Sequence, residues 1–100
     1  MTKTVIDKSG RILELRRFGV LEQLRLFKSL GAELSENRAY MGMARIASSV
    51  AMIDNIPIIF PVNEAAVESI LERLGEDGVE AISSVLMEET EQKMVDEAGN

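Results

Sequence analysis

Two prolines four residues apart, Pro57 and Pro61, constrain the fold of this chain more than any other feature. Proline lacks a backbone N–H, so neither residue can continue a helix or lie in a central, fully paired strand. Large apolar residues surround the prolines, at positions 56, 58, 59, 60 and 62. We call residues 56–62 the proline segment. We expect it to be extended, to follow a turn at residues 54–55, to end at a helix cap at Asn63, and to lie at a sheet edge or across the helices.

Apolar residues recur with the period of a helix on both sides of the proline segment. The pattern predicts four helices, over about 19–30, 37–52, 63–74 and 77–91, with Gly31 and Gly75 ending the first and third. Asn37, or Ser35, is expected to cap the second helix. The expected core stripe of the first helix is Leu21, Leu24, Phe27 and Leu30. That of the second helix is Met43, Ile46, Val50 and Ile53.

Two short runs at the start of the chain, Thr2–Asp7 and Arg11–Arg17, read as a β-hairpin around the turn residues Lys8-Ser9-Gly10. The fold class predicted is therefore α+β: an N-terminal β-hairpin followed by about four helices, with the short extended proline segment between the second and third. We expect a single domain over residues 1–92 and a frayed acidic tail over residues 93–100.

Composition removes most catalytic chemistry. The chain has no histidine and no cysteine, which excludes the commonest general base and thiolate metal sites. Its carboxylates at 64, 68 and 72 recur every four residues, as expected for a solvated helix face. We therefore expect no enzyme activity, no cofactor and no metal. The first eleven residues contain no apolar segment, and no run is long enough to span a membrane, so we expect neither a signal peptide nor a membrane partner.

Charge is divided unequally along the chain. Residues 1–50 hold nine basic and five acidic residues, whereas residues 51–100 hold two basic and twelve acidic ones. The basic half leaves open a small nucleic-acid-binding or regulatory module. The acidic half and the lack of a recognition helix or stacking aromatic pair argue against nucleic acid. An unequal distribution of solvated faces is the simpler interpretation.

A protein-binding surface has more support. Six methionines in 100 residues is a high content, and methionine suits adaptable apolar surfaces, although each one can equally fill the core. In the proline segment we expect Ile56 and Ile59 to face the core, and Ile58 and Phe60 to be accessible. The candidate partner contacts are Ile58, Phe60, Met41 and Met43.

Three stretches of this sequence together resemble the small tail assembly chaperones of long-tailed bacteriophages and prophages. They are DKSGRILELRRFGVLEQLRLFKSLG, SENRAYMGMARIASSVAMIDNIPIIFP and VESILERLGEDGVEAI, within residues 5 to 86. The pattern is a D-x-x-G-R turn, a helix ending in Leu-Gly, an I-D-G-x-P-x-x-x-P link and an R-L-G-x-x-G turn. The chain departs from it at Asn55, where glycine is expected, and asparagine also tolerates positive φ.

The resemblance implies a non-catalytic chaperone that binds the tape measure protein, a long helical chain, and keeps it soluble while the tail tube is assembled. It also implies contact with tail-tube subunits, self-association, and action in the host cell cytoplasm without incorporation into the mature virion. Related proteins are often also made in a longer, frameshifted form. The family's motif residues are structural, so no binding residue is transferred. A minor structural component of a phage particle is the other alternative.

Overall fold

Four short strands form one antiparallel sheet in the computed structural model, which describes residues 3–98 and the side chains of residues 3–89. The strands are β1 (Lys3–Ile6), β2 (Ile12–Leu15), β3 (Val50–Ile53) and β4 (Ile56–Pro57), in that order across the sheet. The helices are α1 (Val20–Ser35), α2 (Arg38–Ser49) and α3 (Glu64–Ala98). The α+β class and the N-terminal hairpin are confirmed.

The predicted number of about four helices is too high by one. The predicted third and fourth helices are both within α3, which carries a kink at Gly75, where φ is 63° and ψ is −173°. Gly31 produces a similar kink in α1, with φ 82° and ψ 171°. Both kinks lie where the sequence predicted helix ends. Glycine occurs at both kinks because it adopts positive φ without steric cost. The chain resumes a helical path after each one instead of leaving it.

The predicted second helix is too long. It was expected to reach Met52, but α2 ends at Ser49 and residues 50–53 form β3, paired with β2. A bulge opposite Leu15 lets both Val50 and Ile53 face the core, although they are three residues apart. That spacing imitates the helical period, which is why the sequence pattern favoured a helix here.

The proline segment begins with β4, at the edge of the sheet, as one of the two predicted placements required. Asp54 and Asn55 form the turn before it, with φ of 48° and 68°. Positive φ at both positions is typical of a two-residue hairpin turn. Asn63 caps α3 by accepting a hydrogen bond from the Ala66 N–H at 2.8 Å, and Asn37 caps α2 in the same way.

The predicted orientation of the proline segment is wrong. Ile58 is only 6% exposed and belongs to the core, whereas Ile56 and Ile59 are 59% and 83% exposed. Phe60 is half-buried against the core. The reason is that Ile58 donates its N–H to the carbonyl of Ala51 in β3, at 2.8 Å, which turns the Ile58 side chain inward.

The core lies between the sheet and the helices. Leu13 and Leu15 from β2 meet Ala44 and Ala47 from α2, and α3 closes the core with five apolar side chains. Those five residues are Val67, Ile70, Leu74, Ile82 and Val85. The predicted frayed tail, residues 93–100, lies outside the part of the chain whose side chains are described, and residues 99 and 100 lie outside the described residues altogether. The frayed tail therefore stays a prediction.

Candidate partner-binding surface

Most of the apolar stripe of α1 faces away from the core. Leu21 and Leu24 are 56% and 57% exposed, Phe27 is 37% exposed, and Val20 is 78% exposed. Of the predicted core stripe of this helix, only Leu30 is buried. Leu26, which was not in that stripe, is buried as well. The prediction that Leu21, Leu24 and Phe27 form core is therefore wrong. We call residues 20, 21, 24 and 27 the α1 apolar face.

A first groove lies between α1 and α2, with a volume of about 310 Å³. Phe18, Leu26, Phe27 and Met41 provide its apolar lining. Phe27 also belongs to the α1 apolar face, so the face and the groove are continuous. Met41, a predicted partner contact, is half-buried in this groove.

A second groove lies between α2 and α3, with a volume of about 520 Å³. Its apolar lining includes Ile46 and the exposed side chains of Met43 and Met87. Met43 was also a predicted partner contact, so the structure brings the two predicted methionines to neighbouring grooves. Since thioethers are flexible, these side chains can adjust to apolar groups of different shape.

The two grooves share three residues of α2, namely Arg38, Gly42 and Arg45. Gly42 lies inside the helix, and a Cβ at this position would meet no heavy atom within 4 Å among the described residues beyond its neighbours in the helix. The two arginines are exposed, and neither forms a salt bridge with another described residue. The Arg45 guanidinium lies over the Phe18 ring, 5.3 Å from its centroid. The boundary between the grooves therefore has no side chain at Gly42 and carries a positive charge on each side of it, at Arg38 and Arg45.

The other two predicted contacts, Ile58 and Phe60, lie elsewhere. They line a separate groove of about 390 Å³ between the proline segment and α3, which shares no residue with the first two. The exposed apolar groups there are Ile59 and Val62, which the sequence did not single out as contacts. The structure thus separates the four predicted contacts into two surfaces.

Arg16 fixes the proline segment in place. One of its guanidinium nitrogens donates to the Val50 carbonyl at 2.9 Å and also to the Ile58 carbonyl, and the group lies over the Phe60 ring. Burial lowers the pKa of Arg16, with the nearby Glu22 carboxylate acting in the opposite direction. On the other side, Ser29 of α1 donates its hydroxyl to the Pro61 carbonyl at 3.1 Å. The segment is therefore held as a fixed part of the surface.

Two of the motifs in the sequence resemblance meet in space. Arg11, from the hairpin turn, donates to the carbonyls of Arg73 and Leu74, the last residues before the Gly75 kink. Its Nε is 2.9 Å from an Asp7 carboxylate oxygen, whose partner oxygen accepts from the Ser9 hydroxyl and from two backbone amides. Burial alone would raise the pKa of Asp7, but these hydrogen bonds outweigh it and lower that pKa. These residues join the hairpin to α3, which is a structural role.

Neither a metal-binding cluster nor a membrane-spanning helix occurs in the described part of the chain. No group of three or more acidic side chains there is arranged to hold a metal ion. None of the helices in that part is both long and apolar enough to cross a membrane. No protein-family model, no curated protein and no solved structure matches this chain.

Proposed function

We propose that this protein is a non-catalytic phage tail assembly chaperone that binds the tape measure protein and keeps it soluble while the tail tube is assembled. The observation that carries the proposal is the α1 apolar face, four large side chains that are each more than a third exposed. Apolar patches of this kind on a small domain are typical of protein-binding surfaces. The face continues into two grooves, which gives the client protein apolar contacts along three helices.

The chemistry of the surface suits a helical client. An amphipathic helix binds by placing apolar side chains spaced three or four residues apart into a groove. Flexible methionines at the groove walls allow successive segments of a long chain to be bound without one fixed sequence. Binding of tail-tube subunits and self-association belong to the same proposal, as does action in the host cell cytoplasm without incorporation into the virion.

The nucleic-acid alternative gains no support from the contacts. Arg11 and Arg16, two of the basic residues on which it rested, donate to backbone carbonyls within the chain. Both guanidinium groups therefore already make hydrogen bonds within the chain. We do not propose this function.

Co-expression with a tape measure protein tests the proposal. We expect wild-type protein to raise the soluble fraction of the tape measure protein, and Leu24→Glu to lose most of that effect, because the new charge lies in the α1 apolar face. Ala65→Glu is the matched control, since it adds the same charge at an exposed position of α3 outside the grooves described above. A tape measure protein that stays insoluble with wild-type protein would contradict the proposal.

A further inference from the structure

We infer that Gly42 is the point at which one helix of a partner lies across α2, with acidic residues of that helix paired to Arg38 and Arg45. The inference rests on the proposed function only for the identity of the protein that carries this helix. The occupant is an amphipathic helix with an apolar face and carboxylates at its edges.

The first step concerns Gly42 itself. Glycine inside a helix is less stable than alanine, because it loses more backbone freedom on folding. Its φ lies outside the left-handed region, and no heavy atom of the described residues, apart from its chain neighbours and the adjacent helix backbone, lies within 4 Å of the position of a Cβ. The fold of this chain therefore does not need a glycine here. A glycine is needed here only if another backbone approaches closely, because a side chain at position 42 would hold that backbone away.

The second step concerns the grooves on either side. One is lined by Met41 and Phe27, the other by Met43 and Met87, and they meet along α2 at Gly42. A helix that crosses at Gly42 places apolar side chains of adjacent turns into both grooves at once. A helix that lay in one groove alone could not reach the other, because α2 separates the two grooves.

The third step concerns charge. Among the described residues, Arg38 and Arg45 are the two charged side chains that line either groove, and no carboxylate accompanies them there. They are seven residues apart on α2, which separates their Cα atoms by roughly 10 Å along the helix. A partner helix that crosses α2 at a shallow angle offers matching carboxylates when these are also about seven residues apart. Guanidinium groups pair well with carboxylates, so charge complementarity selects an acidic helix over a basic one.

Binding of synthetic helical peptides tests the inference on the full-length protein. The probe is a fluorescein-labelled amphipathic peptide with a Leu/Met face, an alanine at its centre and two glutamates seven residues apart. Its twin is identical except for lysines at the two glutamate positions. Fluorescence anisotropy should show that the acidic peptide binds roughly tenfold or more tightly, and that added salt reduces this preference. Equal affinity for the two peptides, or no binding of the acidic one, would overturn the inference.

Variants then locate the binding. Gly42→Leu should weaken binding of the acidic peptide by about tenfold or more, because the side chain fills the low point between the grooves. Arg38→Glu with Arg45→Glu should reverse the preference between the peptides, whereas Arg25→Glu, on α1 outside both grooves, should change it little. Circular dichroism checks that each variant is folded. Unchanged binding by folded Gly42→Leu would show that the helix does not cross there.

Two further outcomes separate this inference from the proposed function and from a second copy of the chain. If Gly42→Leu still solubilises the tape measure protein as wild type does, the chaperone proposal stands and the crossing point is wrong. If wild type binds the acidic peptide but no tape measure protein, the inference stands without that function. If sedimentation shows a dimer that Gly42→Leu dissociates, a second copy occupies the site and the inference is overturned.

Discussion

At the scale of single residues, the glycines Gly42 and Gly78 occupy ordinary helical conformations but differ in what surrounds them. A Cβ at Gly78 would be 3.0 Å from the Leu74 Cβ and 3.2 Å from an Arg11 nitrogen, whereas one at Gly42 would meet nothing within 4 Å. Gly78 therefore provides the space in which Arg11 reaches the carbonyls before the kink. The sequence shows two glycines in helical patterns, but only the tertiary contacts show which one the fold requires.

Alanine at these two positions should have opposite effects on stability. Gly78→Ala should lower the free energy of unfolding by about 1–3 kcal/mol, because Leu74 is fully buried and has little room to move. Gly42→Ala should raise it by roughly 0.5–1 kcal/mol, because it adds helix propensity in open space. Urea denaturation followed by circular dichroism measures both. A destabilising Gly42→Ala would mean that the fold itself uses this glycine, and would weaken the inference about a crossing helix.

The lowered pKa of Asp7 predicts a pH dependence of stability. Because the folded pKa is below the unfolded value, the contribution of this carboxylate is fully present above about pH 4 and is lost as pH falls through the folded pKa. Asp7→Asn should therefore be less stable than wild type at pH 7, and the difference should shrink below pH 4. Urea midpoints at several pH values test this. A difference between Asp7→Asn and wild type that stays constant across the pH range would contradict the assignment.

At the scale of elements, local signals predicted helix starts and turns well, but helix ends and strand pairing poorly. The caps at Asn37 and Asn63 and the turn at residues 54–55 depend on neighbours within four residues, and each lies where the sequence placed it. Gly31 and Gly75 were predicted to end helices and instead produce kinks inside α1 and α3. Strand β3 was missed because its pairing with β2 and its bulge are tertiary features. The proline segment was correctly predicted to be extended, but the side that it buries depends on two hydrogen bonds of Ile58. Its carbonyl accepts from Arg16, which is distant in sequence, and its N–H donates to the Ala51 carbonyl in β3.

Arg16 should control how firmly the proline segment is held. Arg16→Lys keeps the charge but loses the planar guanidinium that serves two carbonyls and lies over Phe60, so it should cost about 1–2 kcal/mol of stability. Amide hydrogen exchange at Ile58, whose N–H bonds to the Ala51 carbonyl, should become faster. Arg17→Lys, at the neighbouring exposed position, should leave both measurements unchanged. Unaltered exchange in Arg16→Lys would show that the segment is held by its apolar contacts alone.

At the scale of the whole molecule, the candidate surface follows from an excess of apolar helix faces over core. Helix α1 has apolar residues on more than half of its circumference, yet α2 and the proline segment cover only the side with Leu26 and Leu30. Periodicity identifies an apolar stripe but cannot show whether another element covers it. That is why the sequence placed Leu21 and Leu24 in the core, and why the α1 apolar face emerged only from the arrangement of the elements.

Charge and apolar area should then make separable contributions to binding by the whole molecule. Leu21→Glu with Leu24→Glu should leave the free energy of unfolding within about 0.5 kcal/mol of wild type, because both side chains are more than half exposed. This double variant should fail to suppress the aggregation of a helical client protein, measured by light scattering, at both low and high salt. Wild type should lose only part of its effect at high salt, since salt screens Arg38 and Arg45 but does not weaken apolar contacts.

Leu26→Glu is the buried counterpart and should unfold the protein, because it places a charge in the core. If the double variant is folded and suppresses aggregation as wild type does, the α1 apolar face is not the client-binding surface.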